Sequence, residues 1–583
     1  MQRFGFGFLL LAACSGQPSA SSEPVLWDPL VKEDAYALVT GESEIGRSYF
    51  LTRWFGREDP ETSAASKGSG PDVLGDSRTG IRVSTPSRLQ IDLPMEGSVR
   101  FQAAVRLESG TGPPGAKVLA MVLLQEDNQW QNLTTVELSA APEPGKRPWR
   151  ELECSFQSKR EAKLELVCRW ADNLQANRPG PKVTWANPKL LRNPPPERDS
   201  KSDLPDVLLV TVDTFRADAM DHAPGLQKLC KQGRYWPGAI SPSNWTLPAY
   251  ASLFTGSPPE IHGAGRGSFQ GQERDYRALK DSALTLAEIF QRKGYATCMI
   301  HANPFLEPWT GLAKGFERYV RCRDETAIHL SIADAWWQRE RSRPRFLVLH
   351  LMAPHLPYAP PQVDGLELEL GPDPMAEIPW REFLAGEHNA AARQAFFTLD
   401  EELRERIRRR YFAEVRTLDH QLSPWLQAKM AQNSSLIVGF HSDHGEELWD
   451  QGSFEHGHSF ADAVVQVPVA LIWPTHLSPA ESQQPVPAHG LAGEILSVLD
   501  WQDPTRSWID LSNFQGELRS SQPLYANDHG GRIWQSHGSQ PIPFGQAGTT
   551  AGGLSASLEP ALQQALAELG YATSPNLDEG SGN

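Results

Sequence analysis

The segment DVLLVTVDTFRAD, residues 206–218, decides the fold that this sequence predicts. Its apolar run is almost continuous, as a strand requires when both of its faces are buried in a parallel sheet. Amphipathic, helix-like stretches separate it from later runs of the same kind, which cover residues 295–303, 345–355, 435–444 and 467–474. This alternation predicts an α/β domain with a doubly wound sheet.

The chain before this segment has a different pattern. From about residue 45 to 192, short alternating runs are separated by Gly, Pro, Ser and Asp turns, with no helical pattern between them. Such spacing predicts an antiparallel β-sandwich, which we place at residues 30–192 with a jelly-roll-like arrangement. The polar, Pro-rich residues 193–205 predict a linker, so the α/β domain covers residues 206–573 and leaves a disordered tail at 574–583.

The N-terminus has the pattern of an export signal. It reads MQRFGFGFLLLAACSG, with one Arg, an apolar run, and small residues before Cys14. Residues 11–14 resemble the bacterial lipobox, in which the cysteine is lipidated. This interpretation makes residues 1–22 a signal peptide and tether, and it anchors the exported protein to the bacterial cell envelope at Cys14. The alternative is an ordinary cleaved signal peptide with an incidental cysteine. No later run reaches about 18 apolar residues, so a lipid anchor is the only membrane attachment we expect.

Two alternating runs of the first domain each carry a cysteine, Cys154 and Cys168. If these runs form a hairpin, the register that opposes Phe156 to Leu166 also opposes the two cysteines. Export would permit a disulfide between them. Because a disulfide needs strict geometry, the sequence leaves open both a cross-strand bridge and two buried free thiols.

Overall composition limits the partners of the chain. Its 583 residues allow two or more domains, each with its own core. The formal net charge is −16. A general nucleic-acid partner or an anionic membrane surface is therefore not expected, because the mean field would repel both.

Polar side chains follow four of the predicted strands. These residues are Asp213, His301, Asn303, His355, Asp443 and His444. Ligands of an open parallel sheet bind beyond the carboxyl ends of its strands, so we expect these side chains at one edge. Carboxylates and imidazoles, with a hydroxyl oxygen, are ligands for a divalent cation such as Zn²⁺, Mn²⁺ or Ca²⁺.

The stretch NWTLPAYASLFTG, residues 244–256, provides such a hydroxyl. Thr246 precedes Pro248 and a helix-like run, which predicts a position at a helix N-terminus, where N–H groups stabilise anions. Coordination to a cation would lower the pKa of the hydroxyl and make a nucleophilic alkoxide accessible. Simpler interpretations also exist: Asp213 could cap a turn, Thr246 could cap its helix, and His444 could be a core histidine.

Five motifs together resemble a known family. In chain order, DVLLVTVDTFRAD, SNWTLPAYASLFTG with PEIHG, LHLMAPHLPY, HSDHGEE and GHSFADAVVQVPVALI are similar to successive motifs of the sulfatase family in the alkaline phosphatase superfamily, over about residues 205–475. The resemblance implies an α/β sandwich, a divalent metal, and hydrolysis or transfer of a sulfate or phosphate ester through a covalent intermediate at residue 246. It implies metal ligands at Asp213, Thr246, Asp443 and His444. It also implies that His355 and His458 bind the transferred group or assist the leaving group.

The sequence departs from the family pattern at the nucleophile. Sulfatases carry Cys or Ser at this position, which is oxidised to formylglycine, but residue 246 is Thr. The Pro-Ser-Arg that follows in the family is Pro248, Ala249 and Tyr250 here. Threonine cannot become formylglycine. A nucleophilic threonine instead resembles the phosphoethanolamine and phosphoglycerol transferases and the phosphodiesterases of the same superfamily.

Further departures bear on the number of metals. Thr214 replaces the second member of the family's Asp-Asp pair, and the family's lysine and histidine are replaced within IHANPF. A second zinc site would need a carboxylate near His355, where Ala353 stands. We therefore expect one metal. His456 could only orient His458, and His262 is expected to be structural.

Two functions from different classes remain open at this stage. The first is an exported, metal-dependent hydrolase or transferase that acts on a small-molecule, lipid-headgroup or glycan ester. The second is a surface lipoprotein with a decayed catalytic domain, whose β-sandwich binds glycans through aromatics such as Trp170 and Trp185. Retention of a charged cluster favours the first, since buried charge is unfavourable unless it is compensated.

The lipobox interpretation can be tested by Cys14→Ser. We expect this variant to move from the membrane fraction to the soluble exported fraction, because the tether alone has no apolar anchor. Immunoblots of fractionated cells measure the change. Unchanged membrane association would contradict the lipid anchor.

Overall fold

The computed structural model describes most of two long regions. It describes residues 76–171, 180–192, 204–266, 276–374 and 398–501, apart from short gaps at 94–95, 109–112, 114, 128, 140–148, 160–161, 281, 340–342, 458 and 484–485, together with isolated strands near both ends. Cys14, the signal peptide, most of the predicted linker and the predicted tail lie outside these residues. Among the described helices, none has the length and apolarity to cross a membrane.

The strands of these regions are numbered in chain order. They are β1 (Val25–Trp27), β2 (Ala37–Thr40), β3 (Ser43–Ser48), β4 (Asp76–Thr85), β5 (Ser87–Asp92), β6 (Gly97–Leu107), β7 (Lys117–Glu126), β8 (Gln129–Ser139), β9 (Arg150–Ser158), β10 (Lys163–Trp170), β11 (Gly180–Arg192), β12 (Val207–Val212), β13 (Arg234–Ile240), β14 (Gly265–Arg266), β15 (Tyr276–Arg277), β16 (Ala296–His301), β17 (Arg318–Cys322), β18 (Arg345–Leu351), β19 (Ile437–Ser442), β20 (Glu447–Leu448), β21 (Phe454–Glu455), β22 (Gln466–Ile472), β23 (Ala480–Glu481), β24 (Tyr525–Asn527), β25 (Arg532–Gln535) and β26 (Ile542–Pro543).

The helices are numbered in the same way. They are α1 (Pro224–Cys230), α2 (Thr246–Thr255), α3 (Pro259–His262), α4 (Leu286–Arg292), α5 (Thr326–Arg339), α6 (Glu401–Gln432), α7 (Asp462–Val465) and α8 (Leu491–Val498). Short 3₁₀ turns occur at Ala217–His222, Pro304–Leu306, Pro308–Thr310 and Ala488–Gly490.

The second region is built on a mixed sheet. Its strand order is β23-β13-β22-β19-β12-β18-β16-β17, with parallel pairing from β19 to β17 and antiparallel pairing of β22 with both β19 and β13. The predicted α/β sheet is therefore observed, but its edge at β22 and β13 is antiparallel. Strand β12, which is the apolar run of DVLLVTVDTFRAD, lies near the centre of this sheet and is buried throughout.

Each face of this sheet is covered by helices. Leu208 and Val210 of β12 belong to one apolar cluster, which also contains residues of α1, α5 and α6. Val207 and Leu209 belong to a second cluster, with residues of α2, α4 and α8. Successive residues of a strand point to opposite faces, so a continuous apolar run is needed to fill both cores.

The first region contains two antiparallel sheets. One has the order β3-β4-β11-β6-β9 with β1 on β11, and the other has the order β2-β5-β10-β7-β8. Residues from both sheets, such as Phe101 and Trp185 of one and Leu89 and Leu166 of the other, form a single apolar cluster. Alternation of buried and exposed residues along β5 and β7 fits this arrangement. The predicted domain boundaries and the jelly-roll connectivity stay predictions.

Two possibilities that the sequence left open for this region are not supported by the structure. Strand β9 pairs with β6, whereas β10 pairs with β5 and β7, so the hairpin that would oppose Cys154 to Cys168 does not form. Both thiols are free, and burial raises the pKa of each to about 12. Trp170 and Trp185 are 5% and 0% exposed, so they belong to the interior and offer no surface for a glycan.

The two regions share a sheet and a buried ion-pair network. Strand β4 pairs antiparallel with β17, which joins the first sheet to the α/β sheet. At the same junction Arg343 donates two hydrogen bonds to Glu317, at 2.8 and 2.7 Å, and Arg100 of β6 donates a third at 3.0 Å. Burial alone would raise the pKa of Glu317, but the charges and hydrogen bonds of the two arginines lower it from 4.5 to about 2.

This network predicts an acid-sensitive component of stability. A carboxyl group whose pKa is lowered by folding stabilises the native state fully above its unfolded pKa and loses that effect as pH falls toward its folded pKa. We expect Glu317→Gln to lower the free energy of unfolding at pH 7 by on the order of 3 kcal/mol. The difference from wild type should shrink below about pH 4.5. Denaturant unfolding between pH 7 and 4 measures it.

Glu137→Gln is a suitable control for this measurement. Glu137 forms an exposed ion pair with Lys117 at 2.8 Å, and exposed pairs contribute little. Equal losses in the two variants, or a loss in Glu317→Gln that does not change with pH, would contradict the prediction.

Candidate active site

The ends of neighbouring strands place the two predicted aspartates side by side. Strands β12 and β19 run parallel with Val212 opposite Ser442, and Asp213 and Asp443 are the next residues on each strand. Both carboxylates are fully buried, as is His444. The turn after Asp213 continues through Thr214, whose φ of +52° is uncommon for a β-branched residue. Thr214 donates its backbone N–H to Asp443 Oδ1 at 3.3 Å.

Three potential ligand atoms converge at this point. His444 Nε2 lies 3.6 Å from Asp213 Oδ1 and 3.4 Å from Asp443 Oδ2. The three residues form a group whose ligand atoms lie within 4.8 Å of one another. Each of these three buried atoms lacks a hydrogen-bond partner among the described residues. Buried polar atoms rarely stay unsatisfied, so this donor set fits a divalent cation.

The orientation of His444 strengthens this fit. Its Nδ1 donates to the Gly445 carbonyl at 3.0 Å, which leaves a lone pair on Nε2. Burial, with the charge of His456, lowers the pKa of His444 to about 3. A neutral imidazole therefore directs the Nε2 lone pair toward oxygens of Asp213 and Asp443, a donor set that suits a divalent cation. Gly445 is required here because a Cβ would lie 2.0 Å from the Ala463 carbonyl oxygen.

The two carboxylates differ in proton affinity. Burial raises the pKa of Asp443 well above its ordinary value, and the charge of Asp213 raises it further. Burial acts on Asp213 in the same direction, but the neighbouring His350, His355 and His444 outweigh it and lower its pKa. Two buried carboxylates at this separation do not both ionise without a compensating positive charge.

A hydrogen-bonded amide connects Thr246 to this cluster. Asn303 Nδ2 donates to Asp213 Oδ2 at 2.7 Å and to Thr246 Oγ1 at 3.2 Å. Asn303 Oδ1 accepts from the backbone N–H of Phe305 at 2.8 Å, which fixes the direction of the amide. Thr246 begins helix α2, all of whose residues are buried. Trp245 occupies the N-cap position and no side chain caps the helix, so the alternative role of Thr246 as a cap is not observed.

The imidazole rings of His444 and His355 both lie close to that of a third histidine, His456. Its ring lies 4.4 Å from that of His444 and 5.1 Å from that of His355, measured between ring centroids. His456 Nδ1 donates to Glu446 Oε1 at 2.9 Å, and His355 Nδ1 donates to the Leu356 carbonyl at 2.6 Å. In both residues the Nδ1 hydrogen bond fixes the orientation of the ring.

His458 lies outside the described residues, so its predicted role stays a prediction. The residues on either side of it both bind Asn244. The Gly457 N–H donates to the Asn244 carbonyl at 2.9 Å, and Asn244 Nδ2 donates to the Ser459 carbonyl at 2.9 Å. Asn244 is two residues before Thr246.

Two other histidines considered from the sequence, His262 and His301, form hydrogen bonds inside the fold. His262 accepts the Ala264 N–H at Nδ1 and therefore donates from Nε2 to Ser252 Oγ at 3.0 Å, inside the core. His301 donates from Nδ1 to the Asn303 carbonyl at 3.0 Å. The sequence assigned no role to Asn303 and did not select His350, whose Nε2 lies 3.3 Å from Asp213 Oδ2. His350 is a polar residue inside an otherwise apolar strand, and that break in pattern was the available signal.

The fold and this site agree with the family comparison. Residues 205–501, just over half of the chain, match the sulfatase family. The chain therefore belongs to the sulfatase family and is an ester hydrolase of the alkaline phosphatase superfamily. Members of this family generally bind a divalent metal.

Individual relatives are distant. Iduronate 2-sulfatase of Mus musculus is 22% identical over 386 residues, which cover 55% of this chain and 67% of that protein. The phosphonate monoester hydrolase of Agrobacterium radiobacter is 18% identical over 55% of this chain and 79% of its own, with a TM-score of 0.42. A 2-O GAG sulfatase is 17% identical over 55% of this chain and 76% of its own, also with a TM-score of 0.42.

Loss of one carboxylate should weaken cation binding. We expect Asp443→Asn to reduce affinity for Zn²⁺, Mn²⁺ or Ca²⁺ by more than about 10-fold, since changes to outer-shell partners alone commonly have effects of this size. Metal content after dialysis and calorimetric titration measure it. Asp419→Asn is the control, because Asp419 is a buried carboxylate that accepts from Gly225 and Leu226 N–H groups. Equal metal content in wild type and Asp443→Asn would contradict the assignment.

Proposed function

We propose that this chain is a metal-dependent hydrolase or transferase that attacks a phosphate ester through Thr246. The observation that carries the proposal is the amide of Asn303, which donates to both Thr246 Oγ1 and Asp213 Oδ2. Through this amide the hydroxyl is linked to Asp213, one of the three residues with an unsatisfied ligand atom, and both residues are fully buried, with Thr246 at the N-terminal end of a ten-residue helix. Helix N-termini stabilise the negative charge of a phosphoryl or sulfuryl group.

Asp213, Asp443 and His444 are the residues that would hold the cation, with the Thr246 hydroxyl as the predicted fourth ligand. A divalent cation bound there lowers the pKa of the hydroxyl and neutralises charge on the attacked group. Thr214 offers a backbone N–H where the family pattern has a carboxylate, which supports one cation rather than two. Metal analysis of the purified protein would identify that cation among Zn²⁺, Mn²⁺ and Ca²⁺.

The chemistry of a threonine favours phosphorus over sulfur. A formylglycine sulfatase releases sulfate by using the second hydroxyl of a geminal diol, but threonine has only one hydroxyl. A sulfated threonine would therefore be a stable ester. A phosphothreonine can be resolved by in-line attack of water or an acceptor alcohol.

Histidines are available for the proton transfers. As the bond from Thr246 Oγ to phosphorus forms, the bond to the leaving alkoxide breaks, and the imidazolium form of His355 or His456 donates its Nε2 proton to that alkoxide. The proton lost by the Thr246 hydroxyl replaces the one that was donated. Water then attacks phosphorus, returns a proton to Thr246 and releases the phosphate. His458 is a further candidate for the same step.

The substrate class and location are also proposed here. We expect an exported enzyme, anchored at Cys14 in the cell envelope, that acts on a small-molecule, lipid-headgroup or glycan ester. The distant relatives named above include enzymes whose names specify sulfated sugars, which supports a glycan ester among these choices. Burial of Trp170 and Trp185 removes these two aromatics as glycan contacts in the alternative of a decayed glycan-binding protein.

Substitution of Thr246 tests the nucleophile. We expect Thr246→Ser to retain partial activity and Thr246→Ala to lose on the order of 10³-fold or more in kcat, because only a hydroxyl can form the covalent intermediate. Steady-state rates with p-nitrophenyl phosphate, bis(p-nitrophenyl) phosphate and p-nitrophenyl sulfate, each with added Zn²⁺, Mn²⁺ or Ca²⁺, measure this. The phosphate esters should react faster than the sulfate.

Thr255→Ala is the matched control, since Thr255 ends the same helix and donates its hydroxyl to the Ala251 carbonyl at 2.6 Å. It should retain most of the activity. Two results would overturn the proposal: full activity of Thr246→Ala, or faster cleavage of the sulfate ester.

A further inference from the structure

We infer that the first region, strands β1–β11 and here called the β region, positions Thr246 through strand β17 and the loop that carries Asn303. The inference rests on the proposed role of Thr246 as nucleophile. It assigns a positioning role to Tyr319 and Arg321 of β17, and to the buried polar side chains of the β region that hold this strand.

Side chains of the β region form hydrogen bonds with backbone carbonyls at and just before the start of β17. Three of its buried side chains donate hydrogen bonds to consecutive or nearly consecutive carbonyls: Lys189 to Phe316, Gln102 to Glu317 and Asn187 to Tyr319. Arg318 of β17 also forms an ion pair with Glu151 at 2.5 Å. Strand β4 then pairs with the end of β17, at Arg321 and Cys322. The edge of the parallel sheet is thus contacted by the β region near both ends of β17.

Side chains of β17 in turn hold the loop after β16. The Tyr319 hydroxyl donates to the Leu306 carbonyl, and Arg321 Nε donates to the Ala302 carbonyl at 3.0 Å. Arg321 also pairs with Glu307 at 3.4 Å. The Tyr319 ring lies 5.0 Å from that of His301. The loop from residue 301 to 307 is therefore fixed from one side by two β17 residues, and all of these groups are buried.

Asn303 lies in the middle of this loop and completes the connection. Its carbonyl accepts from His301 Nδ1, its Oδ1 accepts from the Phe305 N–H, and its Nδ2 reaches both Asp213 and Thr246. A displacement of the loop would therefore move Asn303 Nδ2, which donates a hydrogen bond to Thr246 Oγ1. Misplacement of a reacting group by about 1 Å can reduce a rate by about 100-fold.

The contacts at the β region are polar and directional, which is why they can transmit position. An apolar contact tolerates sliding, whereas a buried donor must stay aimed at its carbonyl or leave it unsatisfied. Lys189 is 1% exposed, so its ammonium group has no route to bulk solvent as a substitute. Loss of its bond to Phe316 should loosen β17 and, with it, the loop.

The test compares variants of the full-length protein that remove contacts at successive steps. Lys189→Met removes the donor to Phe316 and keeps a long unbranched side chain. Tyr319→Phe removes only the hydroxyl that holds Leu306. Lys117→Met is the matched control, because Lys117 is an exposed lysine of the same β region whose partner is Glu137. Asn187→Asp replaces Lys189→Met if that variant does not fold, since it exchanges a donor for an acceptor of the same shape.

Two readouts are needed. Turnover of bis(p-nitrophenyl) phosphate should show kcat reduced roughly 3- to 30-fold in Lys189→Met and in Tyr319→Phe, with KM within about 2-fold. The double variant should lose less than the product of the two single losses, because both act on one path. Hydrogen exchange should show faster exchange of the Phe305 and Leu306 amides in both single variants. Lys117→Met should match wild type in each measurement.

Each outcome decides the inference. It is overturned if Lys189→Met matches the control in exchange, if exchange rises while kcat stays unchanged, if kcat falls without a change in exchange, or if the two losses simply multiply. Exchange reports on the loop without any chemistry. If Thr246→Ala kept full activity, the proposed function would fail, while the exchange and cycle data would still decide whether the β region positions this loop.

Discussion

The repulsion between two buried carboxylates is the constraint on which the site depends. Parallel pairing of β12 with β19 brings Asp213 and Asp443 to adjacent strand ends, away from water. Such a pair is unfavourable unless positive charge or several donors compensate it. Neighbouring donors compensate part of this charge. Asn303 donates to Asp213, and two backbone N–H groups donate to Asp443. The atoms left unsatisfied face one another and define where a cation fits.

The sequence predicted the strands and their ends well, because both are local signals. A continuous apolar run followed by Asp or His identifies β12 and β19 and, through the geometry of a parallel sheet, the meeting of Asp213 with Asp443. The antiparallel edge at β22 could not be predicted, since an apolar run does not encode its direction. The choice between a Cys154–Cys168 bridge and two free thiols could not be made from the sequence for a related reason: the neighbours of β9 and β10 are strands distant in sequence.

Asn303 illustrates the other limit of sequence reasoning. Nothing in IHANPF distinguishes an amide that touches a nucleophile from one that caps a turn, and this side chain does both. Its Oδ1 caps the Pro304–Leu306 turn while its Nδ2 contacts Thr246 and Asp213. The first role makes the second possible, because the turn holds the amide in one orientation.

The junction at β17 also constrains the order in which the protein acquires its structure. The β region is synthesised before β17, yet Lys189 and Asn187 find their partners only when the segment containing Phe316 and Tyr319 has arrived. Until then the edge of β4 and these polar groups remain without the contacts that the native state provides. The first region therefore completes its native contacts only together with the second, so a partly synthesised chain would carry an unpaired strand edge of the kind that favours aggregation.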